Sequence, residues 1–208
     1  MKKILVATNN RSKLELYKNI LNNIVKNEII CLKDINLVLS VEEPFDSERE
    51  NAIYKAKEYS KASGCVVICD DTGLYFKGVP DSIQPKTKVS RINGEKASDE
   101  EIIAYYKTLV EKYGYEKDGV KFLDGFYLKT IALGFENNIK CFQYKVHKLF
   151  TNKVLSQRNI GFPLDSMSIT PEFNKYTVEL TNEDNFKLME ITNSQVLDFF
   201  KENIKVFQ

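Results

Sequence analysis

Two adjacent aspartates, Asp70 and Asp71, follow the apolar run Cys65-Val66-Val67-Ile68-Cys69 and lead into Thr72 and Gly73. Neighbouring carboxylates at the end of a buried strand repel each other unless something neutralises them. A divalent cation can do so, and Mg²⁺ in particular takes a few carboxylates together with phosphate oxygens. A carboxylate not fully used by metal could orient or deprotonate a water. A solvated turn accounts for the same residues, since Asp and Gly are common in turns.

A second polar cluster, Thr8-Asn9-Asn10-Arg11-Ser12-Lys13, sits between an apolar run and a helical pattern. A turn that feeds a helix offers free backbone N–H groups and the positive end of the helix dipole. With Arg11 and Lys13 beside it, such a turn suits a polyphosphate. Read alone, it fits a capped helix start with surface cations better. Glu42-Glu43-Pro44 could bring a carboxylate to the same place, or be a charged loop. In Gly161-Phe162-Pro163-Leu164-Asp165, Phe162 could stack on a base and Asp165 could accept hydrogen bonds, although most such segments are simple turns.

These clusters need elements to hold them. Residues 4 to 7 read as a buried parallel strand. Leu14, Leu16, Ile20 and Leu21 mark a helix over 12–21, capped by Asn10 or Ser12. Ile29 to Leu32 suggests a strand, and Asp46 to Ser60 a helix that Gly64 ends. Cys65 to Cys69 is a further strand, with Asp70 to Gly73 expected as a turn at its C-terminal end. Residues 77–97 read as loop. Ser98 and Glu101 have capping-box spacing for a helix to about Lys112. Phe122 to Phe135 and Ile139 to Phe150 form a hairpin signal around Glu136-Asn137-Asn138. Its many aromatics suit a sheet core, and Lys145, His147 and Lys148 solvated strand positions. Residues 156–175 read as loop, Tyr176 to Leu180 as a strand, and Val196 to Ile204 as a closing helix. The class is α/β, where ligands gather beyond the C-terminal ends of strands. Thr8 to Lys13 and Asp70 to Gly73 both occupy such ends.

Composition narrows the function. The chain has 208 residues, 30 Lys and Arg against 29 Asp and Glu, and a net charge of +1. A polymer-binding protein usually shows a basic excess, so no nucleic-acid polymer is expected. Cys31, Cys65, Cys69 and Cys141 form no Cys-x-x-Cys pair, and His147 is the sole histidine, so buried free thiols are expected rather than a zinc site. The apolar run after Lys3 is too short for a signal peptide, and no segment approaches a membrane span. A cytoplasmic protein is the expectation.

Taken together in order and spacing, these segments resemble the inosine triphosphate pyrophosphatase family. Thr8 to Lys13 matches its Thr-[Gly/Asn]-Asn-x-x-Lys. Glu43 stands eight positions before Asn51-Ala52-Ile53-Tyr54-Lys55-Ala56, matching an acidic residue ahead of Asn-Ala-x-x-Lys-Ala. Asp70 to Leu74 matches Asp-Asp-[Ser/Thr]-Gly-Leu. Arg91 and Gly94 to Asp99 are similar to the family's segment before its next helix, and Gly161 to Ser166 approximates Gly-Phe-Gly-Tyr-Asp-Pro. The resemblance implies an elongated central mixed β-sheet with flanking helices and two lobes around a cleft, in one domain whose second lobe covers about residues 115–160. It implies hydrolysis of an NTP to NMP and pyrophosphate with Mg²⁺ in a homodimer. Thr8, Asn9, Asn10 and Lys13 would hold phosphates, with Thr72, Gly73, Arg91, Phe162 and Asp165 completing the substrate site. Glu43 and Asp71 would hold Mg²⁺, and Asp71 with Asp70 nearby would activate the attacking water.

Two places depart from the pattern. The family carries Glu three residues after the Lys, where this chain has Leu16, with Glu15 one residue earlier. Its base-reading Ser-His-Arg has no counterpart, and Leu188 to Asn193 stands there instead. Altered base specificity is one implication. The alternative is a catalytically inactive nucleotide-binding or interaction protein on the same scaffold.

Overall fold

The computed structural model describes residues 3–8, 11–22, 24–35, 37 and 39–207, and of Arg11 and Ser12 the backbone alone. Strand β1 (Ile4–Val6) is wholly buried and leads to helix α1 (Arg11–Leu21). Strand β2 (Ile29–Cys31) precedes helix α2 (Glu48–Ser63) and strand β3 (Val66–Phe76). β1 pairs in parallel with both neighbours, Ile4 lying opposite Ile29 and Val66. Being covered on both edges and both faces, it needs the unbroken apolar run that its sequence shows. α2 starts where the Ser47 hydroxyl accepts the Glu50 N–H and stops at Gly64, whose φ of 65° is left-handed.

A short hairpin follows, β4 (Arg91–Ile92) with β5 (Glu95–Lys96), then helix α3 (Asp99–Tyr113), started by the expected capping box of Ser98 and Glu101. β6 (Tyr115–Lys117) turns back onto the long strand β7 (Val120–Phe135), which forms the expected hairpin with β8 (Asn138–Thr151). β9 (Ser168–Thr170), β10 (Lys175–Tyr176) and helix α4 (Asn182–Glu202) complete the chain. The sheet order is β10-β9-β8-β7-β3-β1-β2, with β6 on β7. It is mixed: parallel around β1, antiparallel at β6/β7, β8/β9 and β9/β10.

The chain forms two compact units. The first comprises Met1–Asp71, Lys129–Tyr144 and Leu188–Gln208; the second comprises Thr72–Leu128 and Lys145–Lys187. In the first, Ile4, Val6, Val66, Ile68, Ile131 and Leu133 pack one sheet face against α1 and α4 through Tyr17, Leu21 and Phe200. Leu5, Val67, Cys69 and Ala132 pack the opposite face against Ala52, Ala56 and Tyr59 of α2. In the second, Leu74, Phe76, Leu123 and Phe150 pack against Ile103, Tyr106 and Val110 of α3, with Leu164 and Met167.

Several elements differ from expectation. Asp70 to Gly73 is not a turn: β3 runs on to Phe76, because Leu74 and Phe76 are needed in the second unit's core. Thr177–Glu179 is a 3₁₀ turn rather than strand. It points the Thr177 hydroxyl at the ammonium of Lys148, which is buried and also donates to Thr170, so Lys148 is not a solvated position. α4 begins at Asn182, well before Val196. Its first half is largely exposed, with Phe186 and Ile191 facing outward, so no apolar periodicity marked it. All four cysteines are free thiols, Cys65 and Cys69 buried. The proposed caps Asn10 and Ser12 fall where the residue or its side chain lies outside the described region.

Candidate active site

β1 stops pairing with β3 at Val6, opposite Ile68, and the Ala7 N–H gives a last bond to the Ile68 carbonyl at 2.9 Å. There the chain leaves for the Thr8–Lys13 segment, so Asp70 and Asp71 lie beside the point where β1 has ended. Alternation along β3 sends the two carboxylates to opposite faces. Asp70 follows Val66 and Ile68 on the α1 face, and α1 supplies its partners. Lys13 and Tyr17, four residues apart and hence on one helix face, reach it together. The Lys13 ammonium is 2.7 Å from Asp70 Oδ1, and the Tyr17 hydroxyl donates to Oδ2 at 3.4 Å. Burial, reinforced by the Asp70 charge, holds the Tyr17 hydroxyl well above its ordinary pKa, so it stays a donor.

Asp71 follows Val67 and Cys69 on the α2 face. Here the organising group is Lys55. Its ammonium is 2.6 Å from Glu43 Oε1, 2.9 Å from the Asp70 carbonyl and 3.8 Å from Asp71 Oδ1. Burial alone would lower its pKa, but Asp71 and Glu43 outweigh that and raise it, so the ammonium stays charged. Glu43 is delivered by Asn51. The fully buried Asn51 amide accepts the Phe45 N–H at 3.0 Å and donates to the Phe45 carbonyl at 2.9 Å, clamping that loop on the first turn of α2. Lys55 lies one helical turn further along the same face. This explains the spacing of Glu43, Asn51 and Lys55 physically: a carboxylate, the clamp that holds its loop, and the cation that receives it.

The donor set bears on a metal. Glu43 Oε1, the Asp70 carbonyl and Asp71 Oδ1 all face the Lys55 ammonium, and the oxygens these residues offer beside it are the kind that a hard divalent cation takes. No group of three or more His, Cys, Asp or Glu among the described residues forms a protein-only cage. Mg²⁺ does not require one, because it takes one or two carboxylates and completes its shell with phosphate oxygens and water.

Of the residues singled out in the sequence, Thr8, Lys13, Glu43, Asp70 and Asp71 belong to the first unit. Asn9 and Asn10 lie outside the described residues. Thr72 and Gly73 continue β3 into the second unit, Gly73 being buried. The other three are in the second unit. Arg91 lies on the exposed β4 hairpin, its guanidinium 3.4 Å from the Gly94 carbonyl. Phe162 is 62% exposed. Asp165 sits in a 3₁₀ turn and accepts the Asn159 amide at 2.9 Å, while burial raises its pKa against the pull of Asn159 and Lys148. Glu15 points to solvent and lies 3.8 Å from Lys18, so it does not stand in for a glutamate at the Leu16 position, where the side chain packs on the core.

Lys55 and Tyr17 are the residues sequence reasoning missed. Lys55 was visible inside the Asn-Ala-x-x-Lys-Ala segment, and its helical offset from Asn51 was the available signal. Tyr17 gave none beyond its offset from Lys13.

The model of the Ham1 family matches residues 4–188. A protein of Wigglesworthia glossinidia brevipalpis named dITP/XTP pyrophosphatase is 28% identical over 211 residues, covering 97% of this chain and 98% of that one. One of the same name from Thermoanaerobacter sp. (strain X514) is 34% identical over 115 residues; that match spans 55% of this chain and 57% of the relative's length. Among solved structures, the Staphylococcus aureus Ham1 protein superposes with a TM-score of 0.76 at 24% identity, covering 97% of this chain and all of the other. A nucleoside-triphosphatase, dITP/XTP pyrophosphatase, from Mycobacterium abscessus gives 0.74 at 22% identity, covering 93% and 96%. These superpositions establish the fold: a mixed central sheet with flanking helices.

Proposed function

The chain belongs to the Ham1 family, and from that premise we propose that it is a nucleoside triphosphate pyrophosphohydrolase, converting NTP and water to NMP and pyrophosphate, with altered base specificity. The observation that carries this reading is the convergence of Glu43, Asp71 and the Asp70 carbonyl on Lys55, with Lys13 on Asp70 at the same end of β1. Two of its relatives carry the name dITP/XTP pyrophosphatase, which supports the reaction type.

Hydrolysis at the α-phosphorus needs a water deprotonated or aimed along the line of the departing bond, and positive charge along the phosphates. Asp71 takes the water's proton as the new P–O bond forms. The bond between the α-phosphorus and the oxygen it shares with the β-phosphate breaks, and its electrons leave on that oxygen with pyrophosphate. Lys13, released in part from Asp70, steadies the phosphate oxygens, and the family resemblance assigns Thr8, Asn9 and Asn10 to the same task. Lys55 holds Glu43 and Asp71 in register before substrate arrives. Mg²⁺, held by Glu43 and Asp71 with the phosphates, would neutralise charge on the triphosphate. The family resemblance alone assigns a base-stacking role to Phe162, a hydrogen-bond-accepting role to Asp165 and further substrate contacts to Thr72, Gly73 and Arg91. The side chains at Leu188 to Asn193 do not reproduce the donors of Ser-His-Arg, which is the ground for altered base selectivity. Family resemblance also supports a cytoplasmic homodimer.

The test is pyrophosphate release from ITP, XTP, dITP, ATP and GTP with Mg²⁺, using Asp71→Asn as control. Turnover that is lost in the variant supports the reading, and similar rates for ITP and ATP support altered selectivity. Folded protein that turns over none of them refutes the activity.

A further inference from the structure

β7 carries a lysine that none of the motifs includes. Ile131 and Leu133 belong to the core beneath α1 and α4, and Ala132 to the opposite one. Two residues before Ile131, Lys129 therefore stands on the α1 face. β7 is the sheet neighbour of β3, on which Asp70 continues the same face after Val66 and Ile68. Lys129 and Lys13 thus approach one carboxylate from a strand and a helix. Burial above all, then the charge of Lys13, lowers the proton affinity of Lys129, while Asp70 raises it. Asp70 already receives Lys13 and Tyr17. Among the described residues Lys129 makes no hydrogen bond and no ion pair. A desolvated ammonium beside a second ammonium destabilises a fold unless an anion joins them.

We propose that Lys129 is a substrate-binding residue that grips phosphate oxygens of the bound triphosphate together with Lys13. This rests on the nucleotide reading of the site. Lys13 and Lys129 bring two ammonium groups to the face that carries Asp70, and a polyphosphate, with several charged oxygens, can be gripped by both. A lysine kept only for structure would instead be satisfied by protein groups, and its removal would weaken the fold.

The test compares wild type with Lys129→Met and Lys129→Arg in three measurements: melting temperature, affinity for inorganic triphosphate by calorimetry, and KM and kcat for whichever nucleotide the wild type hydrolyses. Lys129→Met is expected to melt at or above the wild-type temperature. It should bind triphosphate roughly ten- to a hundredfold more weakly, with KM raised to match. Lys129→Arg should recover most of that loss, since it restores the charge. The proposal is overturned if Lys129→Met binds triphosphate within about twofold of wild type. It is equally overturned if the variant unfolds or melts lower and arginine restores stability without affinity. Wild type that binds no triphosphate and cleaves no nucleotide overturns the parent reading as well. Active wild type with an indifferent Lys129→Met overturns this inference alone.

Discussion

At the residue scale the arrangement turns on Lys55 and Asn51, a cation and a neutral amide that neither ligate a metal nor accept the water's proton. Lys55 is shared by Glu43 and Asp71, so replacing it removes the cation that holds the two carboxylates together. Lys55→Met is expected to lower kcat by about 10²–10³, the size seen when one charge-positioning group is lost, with steady-state kinetics as the measurement. Asn51→Ala strands the Phe45 N–H and carbonyl that the amide now satisfies. A loss of about 1–3 kcal/mol in denaturant unfolding is expected, together with a higher Mg²⁺ requirement because Glu43 loses its anchor. Glu15→Ala is the contrasting case. Glu15 is half exposed and its contact with Lys18 is long, so stability and turnover should both be unchanged within error. Residue types alone marked Asp70, Asp71, Lys13 and Glu43, because acids and cations at strand ends are conspicuous. They could not separate the roles of Asp70 and Asp71, since it is strand alternation that gives Asp70 to α1 and Asp71 to α2.

At the element scale the informative pieces are β3, β7 and α4. β3 was legible to Cys69, where apolar residues stop; its continuation was hidden because Asp70 to Thr72 break the pattern at the site itself. β7 and β8 were legible as a hairpin from their aromatic and β-branched content and the polar turn. The hairpin also explains Gly134. A Cβ there would stand 2.3 Å from the Asn138 carbonyl oxygen, a backbone atom that cannot move aside. Gly134→Ala should destabilise the protein by about 1–3 kcal/mol in urea unfolding. α4 starts with a reciprocal pattern: the Thr181 hydroxyl accepts the Asp184 N–H at 3.2 Å, and Asp184 accepts the Thr181 N–H at 3.0 Å. That backbone bond, together with Lys175, holds the Asp184 carboxyl down at about 2, below its ordinary 3.8. On acidification the unfolded chain takes up the proton first. The stabilisation is therefore complete above about pH 4 and is lost as pH falls from there through 2. Asp184→Asn should abolish this part of the acid sensitivity, read by urea midpoints across that range.

At the scale of the whole molecule, each unit has its own core, and β3, β7, β8 and α4 each contribute residues to both units. No helix among the described residues is long and apolar enough to cross a membrane. A mass of 24.0 kDa per chain makes the proposed homodimer easy to check, since sedimentation velocity should give about twice that mass. A ligand that binds only the folded state adds about 2.7 kcal/mol at a hundred times its dissociation constant. A non-hydrolysable triphosphate with Mg²⁺ should accordingly raise the melting temperature, and chelation should remove that rise. By itself the amino-acid order determined the α/β class and most of the elements, and it marked the acids and cations proposed for the site, because periodicity, caps and charge are local properties of the chain. Only the tertiary structure decided that β3 runs through the acidic pair, that Asn51 hands Glu43 to Lys55, and that Lys129 looks onto Asp70. Those facts depend on which strands lie side by side and which face each residue takes, and no local pattern encodes either.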